Sequence, residues 1–152
     1  MLNAAPGDQK TVAVLAVIPD EGDRAALRAI FRHCNWILSF AGSIEETRRF
    51  LREEAAPLIL CDRDLPDGSW KDLMLAVKTF RHPPRLVVTA RKEDDRLCAE
   101  ALILGCHGVL SQPFDSGEMF GLLSRAWRNW HGESEIGEAS RPRAFTMAGA
   151  AT

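Results

Sequence analysis

The residues best placed to do chemistry lie where apolar runs stop. Leu58-Ile59-Leu60-Cys61 runs directly into Asp62, and Arg63-Asp64-Leu65-Pro66-Asp67-Gly68 follows. Four apolar residues are too few for a helix and too apolar for a surface strand, so the run reads as a buried parallel strand presenting a carboxylate at its C-terminal end. In an open α/β sheet that edge is where ligands bind. Leu86-Val87-Val88 similarly meets Thr89-Ala90-Arg91, and Val12 to Ile18 meets Pro19-Asp20-Glu21. Acids, a hydroxyl and an arginine are thus the residues that these strand ends present.

Hydrophobic periodicity supplies the elements that would position them. Val12 to Ile18 is a β-branched run closed by Pro19-Asp20, a first strand ending in a turn. Asp23 to Arg32 alternates apolar residues with arginines at helical spacing. Trp36 to Phe40 is a short strand. Ser43-Ile44-Glu45-Glu46 opens the next helix with a capping box, and that helix ends before Pro57. After the Asp62 strand, Asp67-Gly68-Ser69 turns into a helix over Trp70 to Phe80, stopped by Pro83-Pro84. Leu86 to Ala90 is the fourth strand and Glu93 to Leu104 the fourth helix, closed by Gly105. Gly108 to Ser111 is the fifth strand, and Asp115 with Glu118 starts the last helix. Within that helix Phe120, Leu123, Trp127 and Trp130 form an apolar stripe, read as core packing or, where exposed, as a partner surface.

Five strands alternating with five helices predict a flavodoxin-like (βα)5 fold, α/β and doubly wound on a parallel five-stranded sheet. Right-handed crossovers put the loops after the first, third and fourth strands on one edge. Residues 11–131 form the domain, residues 1–10 a flexible N-terminus, and residues 132–152, rich in Gly, Ser, Ala, Arg and Pro, are expected to be a disordered tail. At 152 residues and 46% hydrophobic the chain suits one core. A net charge of −2 gives no basic footprint for nucleic acid. The apolar runs fall short of a membrane span, and residues 1–10 lack the pattern of a signal peptide, so a cytoplasmic protein is expected. Cys34, Cys61, Cys98 and Cys106 show no metal or disulfide spacing and read as reduced, mostly buried thiols. Cys106-His107 is a candidate metal pair, but no matching ligands lie nearby in sequence and a structural zinc wants four.

Asp62-x-x-Leu65-Pro66, Val88-Thr89-Ala90 and Pro113-Phe114, at these spacings, resemble the receiver domains of two-component response regulators over about Thr11 to Trp130. The resemblance implies that Asp62 is the phosphoacceptor and Thr89 the hydroxyl that contacts the phosphoryl group. It also implies Mg²⁺ as cofactor, held by Asp62 and the backbone carbonyl of Asp64. A histidine kinase or phosphotransfer protein is the implied phosphodonor, with a protein partner downstream, no nucleic acid or membrane contact, and a monomer or homodimer as the working unit. No enzymatic activity beyond transfer to Asp62 is implied.

Three positions depart from the family pattern. Where receivers place two adjacent acids at the end of the first strand, this chain has Ile18 and Pro19. Asp20 and Glu21 follow at once and are the replacement candidates, Asp20 being the expected metal side chain. Gln112 precedes Pro113 where the family has lysine, an amide that donates a hydrogen bond without charge. Val109 stands at the usual aromatic switch position. Arg91, two residues after Thr89, is expected to pair with Asp64 or Asp62 and supply the missing charge; a solvated surface arginine is the plainer alternative. Three functions stay open: a stand-alone phosphoaccepting receiver with Arg91 and Gln112 as modulators, a pseudo-receiver that signals by binding alone, and a small flavodoxin-like enzyme or nucleotide binder. The lack of a glycine-rich loop after the first strand counts against the last.

Overall fold

The computed structural model describes residues 12–91 and 95–139, the last seven of these and residue 95 by backbone alone. Its elements are β1 (Ala13–Val17), α1 (Glu21–Phe31), β2 (Ile37–Ala41), α2 (Ile44–Glu53), β3 (Leu58–Asp62), β4 (Asp64–Leu65), β5 (Gly68–Ser69), α3 (Trp70–Lys78), β6 (Arg85–Ala90), α4 (Asp95–Leu104), β7 (Gly108–Ser111) and α5 (Ser116–Ala139). Strands β2-β1-β3-β6-β7 make one sheet, paired in parallel throughout. This order is the flavodoxin-like winding, whose switch point falls between β1 and β3. Strand β3, ending on Asp62, is therefore central and beside the crevice. The small antiparallel pair β4-β5 is an addition to the expected elements.

Period-two alternation explains the two cores. Leu15, Val17, Ile59, Cys61, Leu86 and Val88 project toward α2, α3 and α4. Val14, Ala16, Ile18, Leu58, Leu60, Val87 and Leu110 project toward α1 and α5. Full burial of each Val, Leu or Ile among them contributes about 1.5–3 kcal/mol. Carrying the same parity one step further puts Ile18, Asp62, Thr89 and Gln112 on the α1/α5 side, each at or just past the carboxyl end of its strand.

Local signals fix the helix ends. The Ser43 hydroxyl accepts from the Glu46 N–H at 3.1 Å, while the Glu46 carboxylate accepts from Gly42 N–H instead of closing the expected box on Ser43. The reciprocal capping box sits at α3, between Ser69 and Asp72, where only a turn was expected. Asp115 accepts from Glu118 N–H at 2.7 Å. Gly105, at φ +102°, closes α4: Cys106 N–H donates to Ala101 and Gly105 N–H to Leu102, the double bond pattern of a left-handed helix terminus.

Helix α5 corrects the expected start of the tail, since it continues through Gly132 to Ala139. The segment from His131 on carries three glutamates alongside Gly132 and Gly137, and a helix already formed crosses those glycines because extending it adds a hydrogen bond per residue with no new nucleation cost. The tail expected beyond that, residues 140–152, and the N-terminus at 1–10 lie outside the described residues, as does the expected start of the fourth helix at Glu93. In the apolar stripe of α5, Leu123 is fully buried, Phe120 packs on Phe31 and Trp36, and Trp130 stacks on His82 at 4.0 Å. The stripe is thus packing. Among the described residues no helix is long and apolar enough to cross a membrane.

Candidate functional site

Asp62 closes β3 and pairs in register with Thr89 on β6. One carboxylate oxygen of Asp62 accepts from the Arg63 N–H at 2.8 Å, which turns the side chain back over the loop. Burial holds its carboxyl above the usual aspartate range. The Arg63 N–H works against that rise, the negative charge of Asp23 adds to it, the Arg91 guanidinium opposes it, and Asp64 adds again. A carboxylate that is partly desolvated and bears another negative charge nearby is a reactive one. Beside it Thr89 is completely buried, and its hydroxyl has no hydrogen-bond partner among the described residues. Burying such a group without a partner costs free energy, which makes the hydroxyl a candidate donor at this strand edge.

The acids expected to supply a metal site are placed elsewhere. Ile18 is wholly buried among the residues under α1, and it fills the strand end with hydrocarbon. Asp20 is exposed and serves as the N-cap of α1, its carboxylate accepting from Asp23 N–H at 2.9 Å. That role follows from its position one residue before the helix, where a carboxylate satisfies an orphan N–H. Glu21 turns outward to Arg28 at 3.0 Å, and this partner lowers its pKa. Asp64 pairs with Arg63 at 3.5 Å through an exposed side chain. Among the described residues no three His, Cys, Asp or Glu side chains converge as a cation site, and Cys106 next to His107 is buried with its thiol pKa pushed up to about 12. The residues present therefore do not fit the three-carboxylate cradle that Mg²⁺, with its demand for near-octahedral oxygen ligands, would use here.

Arg91 reaches across the rim, but to a different acid from the two expected. Its guanidinium donates to the Asp23 carboxylate at 3.3 Å, with the Asp23 side chain only 15% exposed and that of Arg91 69% exposed. Asp23 lies in the first turn of α1 and faces inward over the crevice, whereas Asp64 is taken by its neighbour Arg63, which is why the pairing differs. Asp23, Arg91, Gln112, Pro113 and Phe114 line a cleft of about 570 Å³ between α1 and the loop before α5. The Gln112 side-chain oxygen is buried with no partner among the described residues. Val109 is partly buried against the α3/α4 core and contributes no ring.

Two further residues carry the site without having been singled out in the sequence. Asp23 is one; an acid three residues after an N-cap acid usually reaches back to the cap, and only the fold reveals that this one faces Arg91. Asp67 is the other. Its carboxylate accepts from Ile44 N–H at 2.9 Å and Glu45 N–H at 3.1 Å, so the loop behind Asp62 is pinned to the start of α2. Those two bonds hold the Asp67 pKa below its ordinary value, the Ile44 bond contributing most.

Comparison with known proteins places this geometry. No family profile matches the chain. The response regulator protein PilR of Pseudomonas aeruginosa is 32% identical over 122 residues, covering 78% of this chain, which spans about a quarter (27%) of PilR's length. The signal receiver domain of an HD domain-containing protein from Pseudomonas fluorescens Pf-5 superposes with a TM-score of 0.76 at 22% identity, over 88% of this chain and 98% of that one. The chemotaxis response regulator CheY4 of Vibrio cholerae gives 0.68 at 17% identity, over 77% and 99%. The fold of this chain is that of a CheY-type receiver.

Proposed function

We propose that this chain, which carries the receiver fold of the response regulators, acts as a phosphorelay receiver: residues 11–131 accept a phosphoryl group on Asp62 from a histidine kinase or phosphotransfer protein and pass the state on through protein contacts in the cytoplasm. The observation that carries the reading is the unpartnered, fully buried Thr89 hydroxyl in register with Asp62. A purely structural Thr at this position gains nothing from an orphaned donor, whereas a phosphoryl oxygen on Asp62 gives it an acceptor. In this reading Asp62 is the nucleophile and Thr89 a donor to the product. Gln112 replaces a charged contact with a neutral amide, a loss of about 1–2 kcal/mol and so roughly tenfold in rate or equilibrium. Beyond transfer to its own carboxylate the chain needs no catalytic turnover.

Incubation with acetyl phosphate in the presence of Mg²⁺, followed by intact-mass measurement, tests the proposal. One phosphoryl increment that is labile to hydroxylamine and missing in Asp62→Asn is the expected result. An unmodified chain, or a modification that survives Asp62→Asn, overturns it. Burial of Ile18, diversion of Asp20 and Glu21, and Val109 in place of a ring favour a second reading, a pseudo-receiver that binds its partner without phosphorylation. For that reading, partner affinity is the same for wild type and Asp62→Asn.

A further inference from the structure

We propose that the guanidinium of Arg91, held over the crevice by Asp23, takes the place of the divalent cation, so that phosphoryl acceptance at Asp62 is independent of metal. The inference rests on the phosphoacceptor reading and deepens it by naming the charge that makes the transfer possible.

Three observations converge on it. The strand end that would carry two acids is closed by buried Ile18, and the next two acids are engaged as a helix cap and as a surface ion pair. No cluster of three metal-ligating side chains exists among the described residues. Beside the strand end stands a positive charge built into the chain, Arg91, 3.3 Å from a largely buried Asp23 in the cleft between α1 and the loop before α5, and its charge opposes the rise of the Asp62 pKa. The charge balance is consistent. Asp62 and Asp23 together present two negative charges, and Arg91 offsets one of them, which leaves a crevice that repels a phosphoryl group less than two bare acids would and attracts Mg²⁺ less than three acids would.

The geometry also suits the chemistry. A guanidinium donates two parallel hydrogen bonds to phosphoryl oxygens, and it needs no proton exchange to stay charged. Asp23 is a positioning residue: fixed in the first turn of α1, it keeps a flexible and mostly exposed side chain over the rim. The buried Thr89 hydroxyl supplies a further donor. In the transfer from an acyl phosphate, an Asp62 carboxylate oxygen attacks phosphorus. The bond from phosphorus to the acyl oxygen breaks, its electron pair departs on the carboxylate leaving group, and neither a proton nor a redox equivalent is consumed.

The test compares acetyl phosphate labelling of the full chain in Mg²⁺ and in EDTA, alongside calorimetric titration of the unphosphorylated protein with Mg²⁺. Rates within about twofold of each other and no saturable Mg²⁺ heat at millimolar concentration are expected. Arg91→Ala should then lower the rate by about tenfold or more, which corresponds to the loss of one charged contact; Arg91→Lys should recover part of it, and Arg49→Ala on α2 should change nothing. Asp23→Asn should give an intermediate loss, since it frees the guanidinium without removing it. Labelling that needs Mg²⁺, or a Mg²⁺ heat that disappears in Asp62→Asn, overturns the inference and leaves the phosphoacceptor reading standing. An absence of labelling with and without metal removes both.

Discussion

Replacing Thr89 by valine separates the stability of the resting protein from the chemistry proposed for it. Valine has the shape of threonine and the higher strand preference, so the packing of β6 between α1/α5 and its neighbours is retained. What changes is the hydroxyl, which is fully buried and without a partner. A buried polar group left unsatisfied costs about 1–3 kcal/mol, and the methyl that replaces it gains up to about 0.8 kcal/mol of apolar burial. Thr89→Val is therefore expected to stabilise the unphosphorylated protein by about 1–3 kcal/mol, equivalent to a rise of roughly 3–10 °C in Tm for a domain of this size. Urea denaturation should show the midpoint moving up with an unchanged slope. Thr89→Ser, which keeps the hydroxyl and discards the methyl, should instead lose about 1 kcal/mol. The same Thr89→Val protein should be labelled on Asp62 more slowly, by about tenfold, since a hydrogen bond to a charged group is lost. A lower midpoint for Thr89→Val would mean that the hydroxyl is satisfied in the resting protein, and the argument that it awaits a phosphoryl oxygen would fall with it.

Asp62→Asn should raise the melting temperature near neutral pH. The folded pKa of Asp62 lies above its unfolded value, chiefly through burial, so between those two values the folded state binds more proton and stability falls as pH rises. The carboxylate is thus a burden at pH 7 and the amide is not; a melting-temperature profile whose difference between the two proteins vanishes below the unfolded pKa checks the sign. Asp67→Ala removes the acceptor for two N–H groups at the start of α2 and should cost about 1 kcal/mol. Because the folded pKa of Asp67 is lowered, its contribution is present above the unfolded value and should be lost as pH falls through the folded one, which acid titration of wild type against variant measures. Gly68→Ala should destabilise by about 1–3 kcal/mol, since Gly68 sits at φ +156° and a Cβ there would meet the Asp72 carboxylate at 2.7 Å and Ile44 at 2.8 Å. A chemical-denaturation midpoint equal to that of wild type would contradict it.

The three central strands were legible because the middle of a parallel sheet, buried on both faces, writes its strands as uninterrupted apolar runs, and each run stopped at a residue that could be named: Pro19 after β1, Asp62 in β3 and Thr89 in β6. The position of Asp62 followed from that alone. The capping role of Asp20 was not legible because strand-end acids and helix N-caps draw on the same residue types; whether a carboxylate caps a helix depends on whether the next residues have helical dihedrals, and Glu21 already does. The partner of Arg91 was hidden for a different reason. A long side chain on a rim has several acids within reach, and the choice among Asp23, Asp62 and Asp64 is made by burial and competing partners, neither of which sequence separation encodes. Helix α5 passed its expected end because composition at Gly132 suggested a break that a helix already nucleated and packed can cross.

Ile18 links these observations to the energetics of the site. In the receiver pattern its position is acidic, and in this chain it is fully buried beside Leu27, Leu60 and Met119. An acid there would forfeit about 2–3 kcal/mol of apolar burial and would add a desolvated charge close to Asp62, which tolerates one such neighbour, Asp23, in company with Arg91. The strand end is therefore stabler with isoleucine, at the expense of the cation that two acids would recruit. A guanidinium anchored from α1 restores positive charge without asking the strand to bury another carboxylate. Asp23 is the residue on which that solution depends: it lies on the helix that covers Ile18, so the hydrocarbon that closes the strand end also supports the acid that holds Arg91.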